Sequence, residues 1–225
     1  MSSEEYQALK AAEKTAGVFN PQGNYTLPRF EERTANGIKV TDPFSKLFED
    51  RIVFLGVGLY DEIADAIMAQ MLVLESQDPD RDITIYINSP GGSQTALTAI
   101  YDTMRYIKPQ VQTVCLGQAA SAAAVILAAG DKGKRLALPN ARVMIHQPSI
   151  QGGGRAQASD IEIYAEEMLR MRSWLEDTLA RHTGQSVEKV RADIERDTFL
   201  DANETLEYGL VDQVLASRKV ESTEE

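Results

Sequence analysis

The sequence has one cysteine, Cys115, one tryptophan and two histidines among 225 residues. A lone cysteine excludes an internal disulfide and suits a reducing compartment. Two histidines and one cysteine give nothing with zinc-ligand spacing, so no metal site is expected. Long apolar runs are missing as well: none free of charge reaches the roughly 18 residues of a spanning helix. The opening MSSEEYQALKAAEKTAG has no apolar h-region, so a secretory signal is not expected there. Positive charge is in deficit, with 23 Lys and Arg against 34 Asp and Glu, a formal net charge of −11 and no basic run. Nucleic acid and anionic membrane are therefore not expected as partners. No solenoid repeat and no internal low-complexity linker is visible. These absences point to a single cytosolic globular domain.

What is present is an alternation of strand-like and helix-like patterns. RIVFLG (51–56) reads as a buried strand, and 61–77 as a helix with Ile63, Ile67, Met71 and Leu74 on one face. DITIYIN (82–88) alternates and runs into the turn SPGG (89–92). A helix over 95–107, a strand over 111–117 and an alanine-rich helix over 119–130 follow. KRLAL (134–138) and ARVMIH (141–146) are two short strands. A long helix is then predicted, opened by a Ser159–Glu162 capping box and closed at Gly184. Along it Ile161, Tyr164, Met168, Met171 and Leu175 recur every three or four residues. A shorter helix (186–196) precedes the terminal LEYGLVDQVL. Helices between strands at this spacing imply an α/β fold with largely parallel pairing. Residues 1–26 and 216–225 are polar and read as removable or flexible segments.

Within LGQAASAAAVILAAG (116–130), Ser121 carries the only hydroxyl, following a strand and a glycine near a helix start. That position resembles a nucleophile elbow without its usual G-x-S-x-G wording, and a helix N-terminus would favour a nearby oxyanion. Taken alone, the segment favours a helix cap. A nucleophilic serine needs a base. His182, at the end of the long helix, reads as a structural residue at the last-turn carbonyls. His146 ends an apolar strand, where α/β proteins place their sites, and is the better candidate. An orienting carboxylate could be Asp193, Asp197, Asp201 or Asp212, among which the pattern does not choose. In SPGG, Gly91 and Gly92 could let backbone amides approach a ligand, or could serve only a tight turn. No Lys-Ser or Lys-Thr follows, so a phosphate loop is excluded. Cys115, inside an apolar strand, reads as a core residue.

INSPGG (87–92), IYDTM (100–104), VCLGQAAS (114–121), MIHQP (144–148) and ERDTFL (195–200), in this order, resemble the Clp protease proteolytic subunit over residues 26 to 215. Within the family, VCLGQAASAAA and LALPNARVMIHQPS are most similar to the second of the paired actinobacterial subunits. The resemblance implies a Clp/crotonase-like ββα superhelix with a protruding long handle helix. It also implies an N-terminal propeptide over 1–26, the proteolytic domain over 27–215 and a flexible tail over 216–225. The implied activity is that of a serine endopeptidase with Ser121 as nucleophile, His146 as general base and Asp197 orienting it. The amides of Gly92 and Ala122 would form the oxyanion hole; many relatives have methionine where this chain has Ala122. An extended substrate would pair with Gly91–Gly92 and with Gly152, Gly153 and Gly154. Glu195 and Arg196 match positions of ring-to-ring contact.

The implied assembly is a homo- or hetero-tetradecamer of two stacked heptamers, with or without a paralogous subunit. A hexameric AAA+ unfoldase would feed it unfolded proteins, and this chain would need no cofactor. Two rival readings are a crotonase-like acyl-CoA enzyme, and a structural ring subunit active only beside a paralogue.

Overall fold

The computed structural model describes residues 28–34, 37–149 and 157–215. The expected propeptide (1–26), Gly152, Gly153 and Gly154, and the tail (216–225) lie outside the described residues. The chain divides into two compact units, Met1–Pro43 and Phe44–Glu225. In the first, β1 (Phe30–Thr34) and β2 (Gly37–Thr41) pair antiparallel, Phe30 opposite Thr41.

The second unit carries a seven-stranded sheet. After α1 (Pro43–Glu49) come β3 (Ile52–Leu55), α2 (Asp61–Gln77), β4 (Ile83–Ser89), α3 (Gln94–Tyr106), β5 (Val111–Ala120) and α4 (Ala122–Ala128). Then follow β6 (Arg135–Ala137), β7 (Arg142–Ile145), α5 (Ala158–Thr183), α6 (Val187–Asp193), β8 (Thr198–Leu200), α7 (Ala202–Tyr208) and β9 (Gln213–Val214). The order β3-β4-β5-β6-β9 is parallel throughout. Alternation in β4 buries Ile83, Ile85 and Ile87 completely, against Ile67, Met71 and Leu74 of α2 in one continuous core.

The branch in this sheet positions the site. One edge of β5 pairs with β4, up to Ser89 opposite Ala119. Its other edge takes β6 at Thr113–Cys115 and then β7 at Gln118–Ala120, both parallel. The ends of β5 and β7 therefore stand side by side, and β8 adds antiparallel beyond β7, Ile145 opposite Thr198.

The long strand β5 corrects one expectation. Ala119 and Ala120 belong to the strand, and the helix begins at Ala122 rather than at 119. Alanine favours helix locally, but ladder pairing on both edges overrides that preference. The long helix starts at Ala158, with the capping box formed by Gln157 and Asp160 instead of Ser159 and Glu162. Its C-terminus is as expected, with Gly184 in the left-handed conformation at φ 76°. The apolar stripe on α5 is buried only at its later end. Leu175 and Leu179 enter the core, while Ile161, Ile163, Tyr164 and Leu169 are exposed.

Two buried arginines tie the ends of elements together. Arg51, at φ 63°, donates to four carbonyls, those of Leu74, Asp78, Arg81 and Asp82, at 2.9–3.0 Å. It thereby ties the last turn of α2, through the carbonyl of Leu74, to the loop 78–82 that leads into β4. Arg135 forms a two-pronged pair with Asp212 and donates to the carbonyls of His182 and Gly209 at 2.8 and 2.9 Å. The cation that binds a last-turn carbonyl of α5, that of His182, is thus Arg135. His182 itself, expected to act on last-turn carbonyls, turns inward to the Tyr101 hydroxyl.

Candidate active site

Ser121 is the single residue between β5 and α4, at φ 56° and ψ −124°. This backbone region is sparsely populated by residues other than glycine and costs about 1–3 kcal/mol. Two bonds hold the residue there: its amide donates to Met144 O at 2.8 Å, and its carbonyl accepts from Ala124 N at 3.0 Å. Ser121 sits at the N-cap of α4, yet its side chain makes no capping bond. The helix-cap reading is therefore corrected. The hydroxyl turns instead to His146, with Oγ 2.7 Å from Nε2.

His146 follows the last residue of β7, so the branch in the sheet brings it beside the end of β5. Its Nδ1 lies 3.1 Å from Oδ1 of Asp197, which directly precedes β8. A carboxylate only accepts, so Nδ1 carries the proton in the neutral ring and Nε2 is left to accept from the serine hydroxyl. The order strand end, neighbouring strand end, partner strand start is what brings residues 121, 146 and 197 together. The other candidate acids are committed elsewhere. Asp193 accepts from Lys189 and from the Tyr208 hydroxyl, Asp201 caps α7, and Asp212 pairs with Arg135.

The SPGG turn faces this line. Ser89 is fully buried; its hydroxyl donates to Val57 O at 2.5 Å and accepts from Gly91 N at 3.1 Å. Gly91 has φ 85°, and a β-carbon there would stand 2.5 Å from Ala120 O and 2.8 Å from the β-carbon of Ser121. At Gly92, with φ 155°, a β-carbon would collide with Leu59 O. Leu59 N donates to Gly91 O and Ser93 N to Leu59 O, a pattern that leaves out the Gly92 amide. Ala122 opens α4, so its amide has no intrahelical acceptor. Gly92 and Ala122 line the same cleft as Ser121 and His146, whose apolar wall includes Leu97, Val125, Met168 and Met171. An oxyanion forming near Ser121 would meet two uncommitted amides, one in the SPGG turn and one at a helix start.

Other sequence candidates stand apart. Cys115 is buried in β5, where burial pushes its thiol up to about 12, consistent with a core residue. Glu195 accepts from Arg172 at 3.0 Å, and the Arg196 side chain is 86% exposed. Arg172 and Gln147 have no part in the sequence-level site, yet both border it. Gln147 is only the neighbour of His146, and Arg172 is one cation among many on a charged helix, so spacing alone marks neither.

The Clp protease profile matches residues 35–218. The chain belongs to the Clp protease family. It is 66% identical over 203 residues to ATP-dependent Clp protease proteolytic subunit 2 of Leifsonia xyli subsp. xyli, covering 90% of this chain and 91% of that one. Two Tropheryma whipplei relatives are each 66% identical over 199 residues, covering 88% of this chain and 96% of theirs. One is named proteolytic subunit 1 in strain Twist, the other subunit 2 in strain TW08/27. The number in a name thus varies between strains, while the likeness to paired actinobacterial Clp subunits is plain. With this family membership the α/β fold with its long, half-exposed helix is the Clp protease fold, and the acyl-CoA reading is not favoured.

Proposed function

We propose that the chain is the serine endopeptidase subunit of an ATP-dependent protein-degrading assembly. The carrying observation is the unbroken line from Ser121 Oγ through the His146 ring to Asp197. His146 Nε2 takes the hydroxyl proton as Oγ attacks a peptide carbonyl. The resulting imidazolium is oriented by Asp197 and passes its proton to the leaving amine. Water, deprotonated by the same ring, then releases the acyl group. The amides of Gly92 and Ala122 bind the tetrahedral oxyanion, each donor of this type contributing about 3–4 kcal/mol. The substrate lies extended, pairing with Gly91–Gly92 and with Gly152–Gly154.

The names of the relatives, proteolytic subunits of ATP-dependent Clp proteases, support an oligomer served by a Clp ATPase. In our reading two heptameric rings, homomeric or mixed with a paralogue, stack through the exposed half of α5, with Glu195 and Arg196 at the ring contact. A hexameric AAA+ unfoldase threads unfolded protein into the chamber, and residues 1–26 are a removable propeptide. The single cysteine supports the cytosol as its place of work.

The deciding experiment labels the purified protein with a fluorophosphonate and assays a short fluorogenic peptide, alone and beside a paralogous subunit, with the mass of each assembly measured. Labelling at Ser121 and loss of cleavage in Ser121→Ala are expected. Peptidase activity undiminished in Ser121→Ala would overturn the assignment.

A further inference from the structure

Resting on that reading of Ser121, His146 and Asp197, we propose that Arg172 is a positioning residue that fixes His146 and Asp197 relative to each other. The bond between ring and carboxylate has little protection of its own. It is 3.1 Å long, and the Asp197 side chain is 59% exposed. The two residues are 51 positions apart, on segments joined by no turn of their own. Their alignment has to be imposed through the backbone that carries them.

The β7–β8 ladder sets that alignment as far as Ile145 opposite Thr198, and Arg172 extends the tie beyond the ladder with one guanidinium. Its Nη1 donates to Oε1 of Gln147 at 2.9 Å, on the residue directly after His146. Its Nη2 donates to Oε2 of Glu195 at 3.0 Å, two residues before Asp197. The third donor, Nε, bonds Oε1 of Glu176 one turn along α5 at 2.8 Å. Gln147 closes the loop: its amide donates to Ile194 O at 2.7 Å and its Nε2 to Glu195 O at 3.0 Å. The segments 146–147 and 194–197 are thus joined to each other and, through one side chain, to the long helix.

The anchor under this fork is unusually fixed. Glu176 is only 2% exposed, and its second oxygen accepts from Nε and Nη2 of Arg191, on α6, at 3.0 and 2.8 Å. Two guanidiniums hold its carboxyl below the usual range against the opposing effect of burial. Arg172 therefore cannot swing away without taking one of two cations, and the only partner of Oε1 among the described hydrogen bonds, from a buried carboxylate. An ammonium could balance that charge, but it is a compact point charge rather than a planar fork that reaches acceptors in three directions. The demand for a fork separates positioning from simple neutralisation.

The test uses the full-length, assembled protein, with kinetics read on the assembled fraction isolated by gel filtration. In Arg172→Lys, which keeps the charge beside Glu176, kcat on a short peptide should fall about tenfold while KM stays within about threefold, because misplaced catalytic groups lose turnover rather than binding. The fluorophosphonate labelling rate of Ser121 should fall in parallel. Gln147→Met removes the link without burying a charge and should show the same split, serving also if the lysine variant fails to assemble. A kcat within twofold of wild type in either assembled variant would overturn the proposal while leaving the triad intact. Failure of the triad reading is recognised separately, by activity surviving in Ser121→Ala.

Discussion

Nε2 of His182 lies 2.9 Å from the hydroxyl of Tyr101, and the two rings meet edge to face at 5.7 Å. Burial, then the positive charges of Arg105, Arg135 and Arg181, lower the histidine to about 4. The unfolded chain, with an ordinary histidine near 6.5, therefore binds more protons than the native state between pH 6.5 and 4. The stability from this neutral histidine is present above pH 6.5 and is lost as pH falls through 4. Between pH 7 and 5 the loss should be about 1–2 kcal/mol, allowing for partial exposure of the ring. Urea midpoints at fixed protomer concentration measure it. His182→Gln, which keeps a partner for Tyr101 but cannot titrate, should lose distinctly less over the same interval. Equal losses in both proteins would show that His182 is not the source.

Arg51 combines a left-handed backbone with a guanidinium shared among four carbonyls. Its replacement separates the two effects. Arg51→Ala keeps the strained φ and strands the carbonyls, and should destabilise by about 3 kcal/mol or more. Arg51→Gly strands the same carbonyls but relaxes the backbone, recovering about 1 kcal/mol relative to alanine. Thermal unfolding ranks the pair. Alanine proving more stable than glycine would contradict the strain at this position.

Much of the architecture was legible because periodicity reports burial directly. The 61–77 helix and the alternating strand, expected over 82–88 and found over 83–89, needed no tertiary knowledge, since each buries one face. The end of β5 was not legible: Gln118-Ala119-Ala120 is strand only because β4 and β7 flank it. The same fact hid the role of Ser121, since a serine before an alanine helix looks like a cap until the sheet puts His146 beside it. The choice of Asp197 among four acids rested on a motif, because contact across 51 residues has no local signature. Arg51 and Arg135 were invisible for related reasons. Arg51 binds carbonyls, which leave no pattern of partner side chains to read, and the partner of Arg135, Asp212, stands 77 residues away.

Asp197 and Asp201 are four residues apart and bonded to different things, so their substitutions should fail differently. Asp197→Asn can present an amide N–H to Nδ1 and so select the wrong ring tautomer for Ser121. Peptidase kcat should fall by about 10²–10⁴-fold with little change in melting temperature. Asp201 instead accepts from the amides of Asn203 and Glu204 at the start of α7. Asp201→Ala should cost about 1 kcal/mol of stability and leave kcat within about twofold. Parallel melting curves and peptide assays on the two proteins check this. An unimpaired Asp197→Asn would remove Asp197 from the site.

Gly91 gives the most direct test of crowding at the nucleophile. Its φ of 85° disfavours any side chain, and the space a methyl would take is occupied by Ala120 O, the β-carbon of Ser121 and Ala122 N, at 2.5, 2.8 and 3.0 Å. All three belong to the turn that carries the nucleophile, two of them are backbone, and none can swing aside. Gly91→Ala must therefore push the SPGG turn away from Ser121, carrying the neighbouring Gly92 amide with it. A shift of about 1 Å in that amide would weaken its grip on the oxyanion, so kcat should drop about 10²-fold or more. The turn itself is anchored by Ser89, whose hydroxyl bonds Val57 O and Gly91 N, so the fold and its mass should persist. Gly133→Ala serves as the control: that glycine has a similar φ of 84°, but a β-carbon there meets nothing within 4 Å. It should cost about 1 kcal/mol of stability from backbone strain and leave turnover unchanged. If Gly91→Ala kept wild-type turnover while Gly133→Ala behaved as expected, the SPGG turn would not be pressed against the nucleophile in the working enzyme.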